Sequence, residues 1–323
     1  MGNRFMIIFP YLVSIVLLVV VFTTADVSLL IETISSVSPA MATFAISIYL
    51  IIIPLMTIRW NYLVKELVGE SPRYLTSVSD YWSGMAVGWA TPSNIGMDAY
   101  RAVRMTQRTG KPSRQVGIII IEKLLTLGSC IALSLLVFPF VIDSMETSFP
   151  LFIPIRETAS LFVIMIFIIV YFRDSAVSKL INITKKIESA LSKRWFEKSE
   201  VQETDVVNDF SLIPPISISI SQILVLAIID LILINSMSAE ITLLQTLFSV
   251  SILTIIFSIP ISFGSLGVRE SSYILIYSEF GLSLEQSLSL SMLNLSGILL
   301  NSLVGSILIR NSISSNNKEV NNN

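Results

Sequence analysis

Two stretches decide the architecture: Pro92-Ser-Asn-Ile-Gly96-Met-Asp-Ala-Tyr-Arg101 and Pro260-Ile-Ser-Phe-Gly264-Ser-Leu-Gly-Val-Arg269. Both follow the frame Pro-x-x-x-Gly-x-x-x-x-Arg, and both interrupt an otherwise apolar region. Proline removes a backbone donor and glycine relaxes the chain, so helix breaks are expected at Pro92 and Gly96, and again at Pro260, Gly264 and Gly267. A short helical stretch, a Gly turn and a long apolar segment follow each copy; the turns are Thr109-Gly110-Lys111-Pro112 and Phe280-Gly281-Leu282-Ser283. Broken hydrophobic segments at corresponding places in two halves point to a transporter-type binding site.

Composition narrows the chemistry. The 323 residues are 53% hydrophobic and 14% charged, with a mean hydropathy of +0.77. A soluble domain carries roughly 25% charged residues, so this is an integral membrane protein. There is no His, and the single Cys, Cys130, sits in an apolar run as packing material. That excludes His acid–base chemistry, a Ser-His-Asp triad, Cys/His zinc sites and an internal disulfide. No Gly-x-x-x-x-Gly-Lys-Ser/Thr loop occurs. No metal, cofactor or nucleic-acid partner is expected.

Apolar runs long enough to cross a bilayer are Phe5–Phe22, Ile34–Ile58, Val116–Ile142, Leu151–Phe172, Leu212–Leu233 and Ser287–Ile309. Phe5–Phe22 is too long for a signal-peptide core and reads as a retained helix. Basic residues set the sides. Arg59, Lys65 and Arg73 place one loop inside, and Arg108, Lys111 and Arg114 place the next turn inside as well. The segment between them, about 74–100, must therefore enter and return on one side. Thr23–Thr33, Asp143–Phe149 and Ser236–Glu240 lack Lys and Arg and are external. The expected fold is an all-α, polytopic bundle of about six crossing helices and two re-entrant segments. It forms a single membrane domain, residues 1–310, arranged as an inverted repeat of 5–142 and 150–310. Residues 173–211 form a cytoplasmic loop with a basic amphipathic surface helix, and the polar tail 311–323 is expected to be disordered. Both termini fall in the cytoplasm, with the protein in the cell membrane.

Ionisable groups within such spans are functional candidates. Glu122 lies about 12 Å along its helix from Arg114, too deep to reach water easily. It reads as lining a polar cavity, with a structural ion pair as the alternative. Arg101 and Arg269 follow the two breaks, where a new helix N-terminus and a guanidinium fork would together cradle an anionic head group. Glu270 adjoins Arg269. Asp98, near Asn94, reads as a helix cap. Asp230 is expected to pair with an Arg or Lys in the bundle, with substrate contact as the lesser alternative.

Gly88–Arg104, Gly110 through Glu122-Lys123, and above all Ile259-Pro-Ile-Ser-Phe-Gly-Ser-Leu-Gly-Val-Arg-Glu270 followed by Gly281-Leu-Ser resemble the membrane domain of bacterial lysylphosphatidylglycerol synthases. The resemblance implies a flippase-like domain that handles lipid, associated in the full-length synthases with moving aminoacylated phospholipid between leaflets. The 323 residues leave no room for the soluble aminoacyl-transferase domain, so synthesis of aminoacyl lipid is not expected. The substrate-binding set is then Arg101, Glu122, Arg269, Glu270, Asn94, Asp98 and Asp230. The expected ligand is an anionic or zwitterionic phospholipid or a lipid-linked sugar. Two alternatives stay open. One is a membrane-embedded head-group or glycosyl transferase using Glu122, Asp98 or Glu270; the other is a non-catalytic partner of a synthetase or glycosyltransferase.

Overall fold

The computed structural model describes residues 2–70, 72–89, 91, 95–145, 211–259 and 261–321. Pro92, Asn94, Pro260, the apolar run Leu151–Phe172 and the basic surface helix expected after it lie outside these residues. The described residues are helical: α1 (Gly2–Thr24), α2 (Val27–Ser36), α3 (Pro39–Val68), α4 (Tyr74–Gly88), α5 (Ile95–Thr109), α6 (Pro112–Val141), α7 (Ile213–Ser236), α8 (Leu243–Phe257), α9 (Val268–Ser278) and α10 (Leu284–Asn321).

Local chemistry sets these limits. Pro39, Pro112 and the Pro214-Pro215 pair open α3, α6 and α7, where a missing N–H costs nothing. Gly69, at φ 81°, ends α3 in the left-handed conformation. Thr242 and Gln245 form a reciprocal capping box on α8. Four helices, α3, α6, α7 and α10, are long and apolar enough to cross a membrane, and a fifth span arises if α1 and α2 count as one. Those two meet at 87°. The connection Thr23–Thr33, expected to be external, contains the start of α2, opened by Asp26, whose side chain accepts from the N–H groups of Ser28 and Leu29.

The first broken segment is a helical hairpin. Asp80 in the middle of α4 pairs with Arg104 at 3.2 Å and Arg108 at 2.5 Å in the second half of α5. The two helices touch closely enough that a Cβ on Gly84 would stand 3.0 Å from the Met97 carbonyl oxygen. At the base of the hairpin, Lys111 donates to the Val68 carbonyl at 3.2 Å and Arg114 to that of Leu67 at 3.3 Å. The hairpin therefore begins and ends at the end of the bundle where α3 stops.

The second hairpin, α8 and α9, stands the other way up. Phe248 near the start of α8 meets Phe280 just past α9 with ring centroids 6.2 Å apart, and Phe138 near the end of α6 at 5.9 Å. Because α6 runs the length of the bundle, the two hairpins open at opposite ends. The end nearest the second carries Asp26, Glu32, Asp143, Glu240, Glu279 and Glu285 and, among the described residues, no Lys or Arg.

Packing repeats this relation. α3 packs on α7, α4 on α10, and α8 on α6. Exchanging α3 with α7, α4 with α8, α5 with α9 and α6 with α10 carries the α3–α7 pair onto itself and each other packed pair among these eight helices onto another packed pair. The largest apolar cluster gathers around Leu233, Phe248 and Tyr277 and draws in Tyr49 of α3 and Phe138 of α6; another gathers around Trp60, Leu63 and Tyr81.

Candidate functional site

Each broken segment delivers its Arg into a buried polar cluster, and the two clusters differ in charge. In the first, Glu122 lies about 15 Å along α6 from Pro112, at about 1.5 Å per residue, and is 4% exposed. Its Oε1 accepts from Arg59 Nε and Nη2 of α3 at 3.3 and 3.2 Å and from the Tyr81 hydroxyl of α4 at 2.7 Å. Oε2 accepts from Arg101 Nη2 of α5 at 3.0 Å. Arg59 Nη1 continues to Thr126 at 2.9 Å and to Ser219 of α7 at 2.7 Å. Five helices are thus tied through one carboxylate and one guanidinium.

Asp98 lies within the first turn of α5 and pairs with Arg101 at 2.6 Å and with Lys123 at 2.7 Å. The Arg101 guanidinium lies over the rings of Tyr81 and Trp60, 3.9 and 4.5 Å from their centroids, a cation–π arrangement favoured where water is excluded. Arg101 is thereby neutralised by two carboxylates and two aromatic faces. Glu122 is the centre of an ion-pair network.

Arg59, expected with Lys65 and Arg73 to mark the internal loop, lies instead within α3, which continues through it to Val68, and it is 1% exposed. The usable signal was the absence of Gly or Pro between Arg59 and Gly69. A helix with no breaker carries its charges inward until something stops it.

The second cluster surrounds a cavity of about 180 Å³ between the two groups of helices. Its polar wall includes Tyr49, Asp230, Arg269, Tyr273, Asn294 and Asn301. Arg269, at 5% exposure, has no ion-pair partner among the described residues, and its Nε and Nη1 are buried without hydrogen bonds. Its nearest aromatic face is Phe257, 5.7 Å from the ring centroid. Asp230, expected to pair with an Arg or Lys, has no basic partner among the described residues either. It accepts from the Tyr277 hydroxyl and from Asn294 Nδ2 at 2.7 Å, and the Tyr49 hydroxyl donates to Asn294 Oδ1. Asn301 accepts from Trp82 of α4 at 2.8 Å and donates to the Tyr49 carbonyl at 3.2 Å, linking the two halves at the cavity floor.

One backbone N–H at each break has a side-chain acceptor. Thr91 Oγ1 accepts from the Gly96 N–H at 2.8 Å, and Glu270 Oε2 accepts from the Gly267 N–H at 2.6 Å. Glu270 also takes the Ser291 hydroxyl at 3.5 Å. Its carboxylate therefore caps its own helix. Gly267 is required twice over. Its φ is 78°, and a Cβ would meet the Ser14 carbonyl and Leu17 of α1 at 2.8 Å. On the outer face of α3, α4 and α10, next to the cavity wall, runs a mostly apolar groove of about 630 Å³ lined by residues such as Ile46, Ala86, Trp89, Leu299 and Leu303.

Apolar spans, hairpins opening at opposite ends and buried charges between them define a multi-pass α-helical membrane protein. The chain belongs to the family described as Lysylphosphatidylglycerol synthase TM region, which matches residues 7–295. No curated protein and no solved structure matches it significantly.

Proposed function

We propose that this protein binds the anionic head group of a membrane lipid at Arg269 and passes that lipid between leaflets. The observation that carries the reading is the Arg269 guanidinium itself, buried on a cavity wall with two nitrogens unpartnered. Burying an uncompensated ion costs several kcal/mol, so such a group calls for a negative ligand. A guanidinium fork suits phosphate in particular. The apolar groove alongside favours a ligand with acyl chains over a free anion, and membership of a family of lipid-handling membrane regions agrees with this.

In the same reading, residues 5–142 and 150–310 are inverted repeats whose hairpins meet from opposite sides, in a cell membrane with both termini cytoplasmic. Arg101 and Arg269 occupy equivalent places in the two frames. Among the described residues Arg101 has two ion-pair partners and Arg269 has none, so Arg269 is the arginine assigned to the head group.

The test uses the full chain in phosphatidylcholine proteoliposomes with labelled phosphatidylglycerol. Arg269→Ala should abolish protein-dependent translocation. Arg269→Lys keeps the charge without the planar fork and should retain only part of it. Wild-type translocation by a well-folded Arg269→Ala protein would overturn the proposal.

A further inference from the structure

Two buried charges of opposite sign share the cavity wall without pairing. Arg269 and Asp230 are 5% and 1% exposed, and both line the cavity. No ion pair joins them among the described residues. The groups facing the Asp230 carboxyl are neutral donors: Tyr277 from α9, Asn294 from α10 and, behind Asn294, Tyr49 from α3. Tyr273 and Arg269 of α9 complete the ionisable surroundings, with Glu270 turned to its own helix cap. α8, which also packs on α7, contributes no ionisable side chain. Arg59, Glu122 and Lys123 belong to the other cluster, which meets α7 at Ser219, about 16 Å along the helix from Asp230.

We propose that Asp230 is a proton-binding site linked to the occupancy of Arg269, so that an anionic head group enters the cavity together with one proton and leaves with it. This rests on the head-group reading above. Empty, the wall holds one positive and one negative charge. An anion at Arg269 leaves one negative charge uncompensated in a setting of low dielectric, where an unpaired ion is strongly disfavoured. A proton taken from water onto one carboxylate oxygen of Asp230 restores neutrality, and it returns to water when the lipid departs. The hydrogen bonding survives both states. The Tyr277 hydroxyl donates to the carboxylate and accepts from the carboxylic acid, while the Asn294 amide continues to donate to the other oxygen. The moving unit, one anion with one proton, carries no net charge.

Proteoliposomes of phosphatidylcholine containing labelled phosphatidylglycerol provide the test. Wild-type translocation should rise as the pH falls, by up to about tenfold per pH unit where Asp230 titrates. A gradient of one pH unit should enrich the labelled lipid by up to about tenfold in the leaflet facing the alkaline side. A membrane potential alone should produce no enrichment. Asp230→Asn, which mimics the protonated acid, should lose both the pH dependence and the enrichment. Tyr277→Phe should move the pH midpoint yet keep the enrichment, because the carboxyl remains.

A flat wild-type pH profile, no enrichment under the gradient, or an Asp230→Asn protein still driven by the gradient would each overturn the inference. Loss of phosphatidylethanolamine movement alone in Asp230→Asn would also overturn it, and would assign Asp230 to an amine. The wild-type gradient experiment decides the matter even if Asp230→Asn does not fold. Absence of phosphatidylglycerol movement by the wild type at every pH defeats the head-group reading itself. Movement without coupling defeats only the proton.

Discussion

Glu122→Gln removes one negative charge from a site where two guanidinium groups converge. Arg59 and Arg101, with side chains 2% and 3% exposed, both pair with this carboxylate, and Tyr81 donates to it as well. Glutamine keeps the shape but offers one acceptor oxygen in place of two. Whichever way its amide turns, an N–H₂ faces either Arg101 or the Arg59 and Tyr81 donors. Each charge-assisted hydrogen bond lost is worth about 1.5–3 kcal/mol, and breaking a buried pair by removing one partner costs about 3–5 kcal/mol. Neutral interhelical hydrogen bonds in membranes average only about 0.6 kcal/mol, so a loss in the upper range would mark the stranded charge rather than a missing contact. Thermal unfolding in detergent should show a fall of roughly 5–15 °C. Combining Glu122→Gln with Arg59→Met removes one stranded cation, and the double variant should recover about 0.5–3 kcal/mol relative to the sum of the singles. A Glu122→Gln protein within about 1 kcal/mol of wild type would refute the reasoning. Glu122 would then not be the centre of an ion-pair network.

Two further outcomes follow from the packing. Single cysteines at Glu70 and Gln107, in a Cys130→Ser background, flank the first hairpin and should label from one side of the membrane, with Ser144→Cys labelling from the other; all three native positions are exposed. Ser77 is 2% exposed and would not report, and opposite-side labelling of Glu70 and Gln107 would mean that the hairpin crosses. Gly305→Ala would place a Cβ 1.8 Å from the Trp82 carbonyl oxygen, forcing α10 away from α4, and should cost at least about 1–3 kcal/mol. Gly128→Ala meets nothing within 4 Å and should be neutral or stabilising by up to about 1 kcal/mol. Equal melting temperatures for these two variants would contradict the close contact.

The candidate site was only partly legible. Arg101, Glu122, Asp98, Arg269 and Asp230 stood out because a charge inside an apolar run is rare and conspicuous. Their partners did not. Tyr81, Tyr49 and Tyr277 look like ordinary members of apolar or mixed helices, and nothing in their spacing reveals that they come to face a carboxylate; Asn294, with Asn301, reads only as the bundle-facing polar side of the last helix. Arg59 was hidden differently, by sitting near the basic end of a helix that runs further than hydropathy alone indicates.

By itself the sequence determined that this is a multi-pass helical membrane protein with two broken segments, because hydropathy, Gly/Pro positions and the placement of Lys and Arg are local or additive properties. It also carried the equivalence of Arg101 and Arg269, since a repeated frame is visible in one dimension. Only the tertiary structure decided that the equivalent arginines differ. Arg101 meets two carboxylates brought by α5 and α6, and Arg269 meets none among the described residues. Electrostatic compensation depends on distances of a few ångströms between helices far apart in the chain, and these are set by packing.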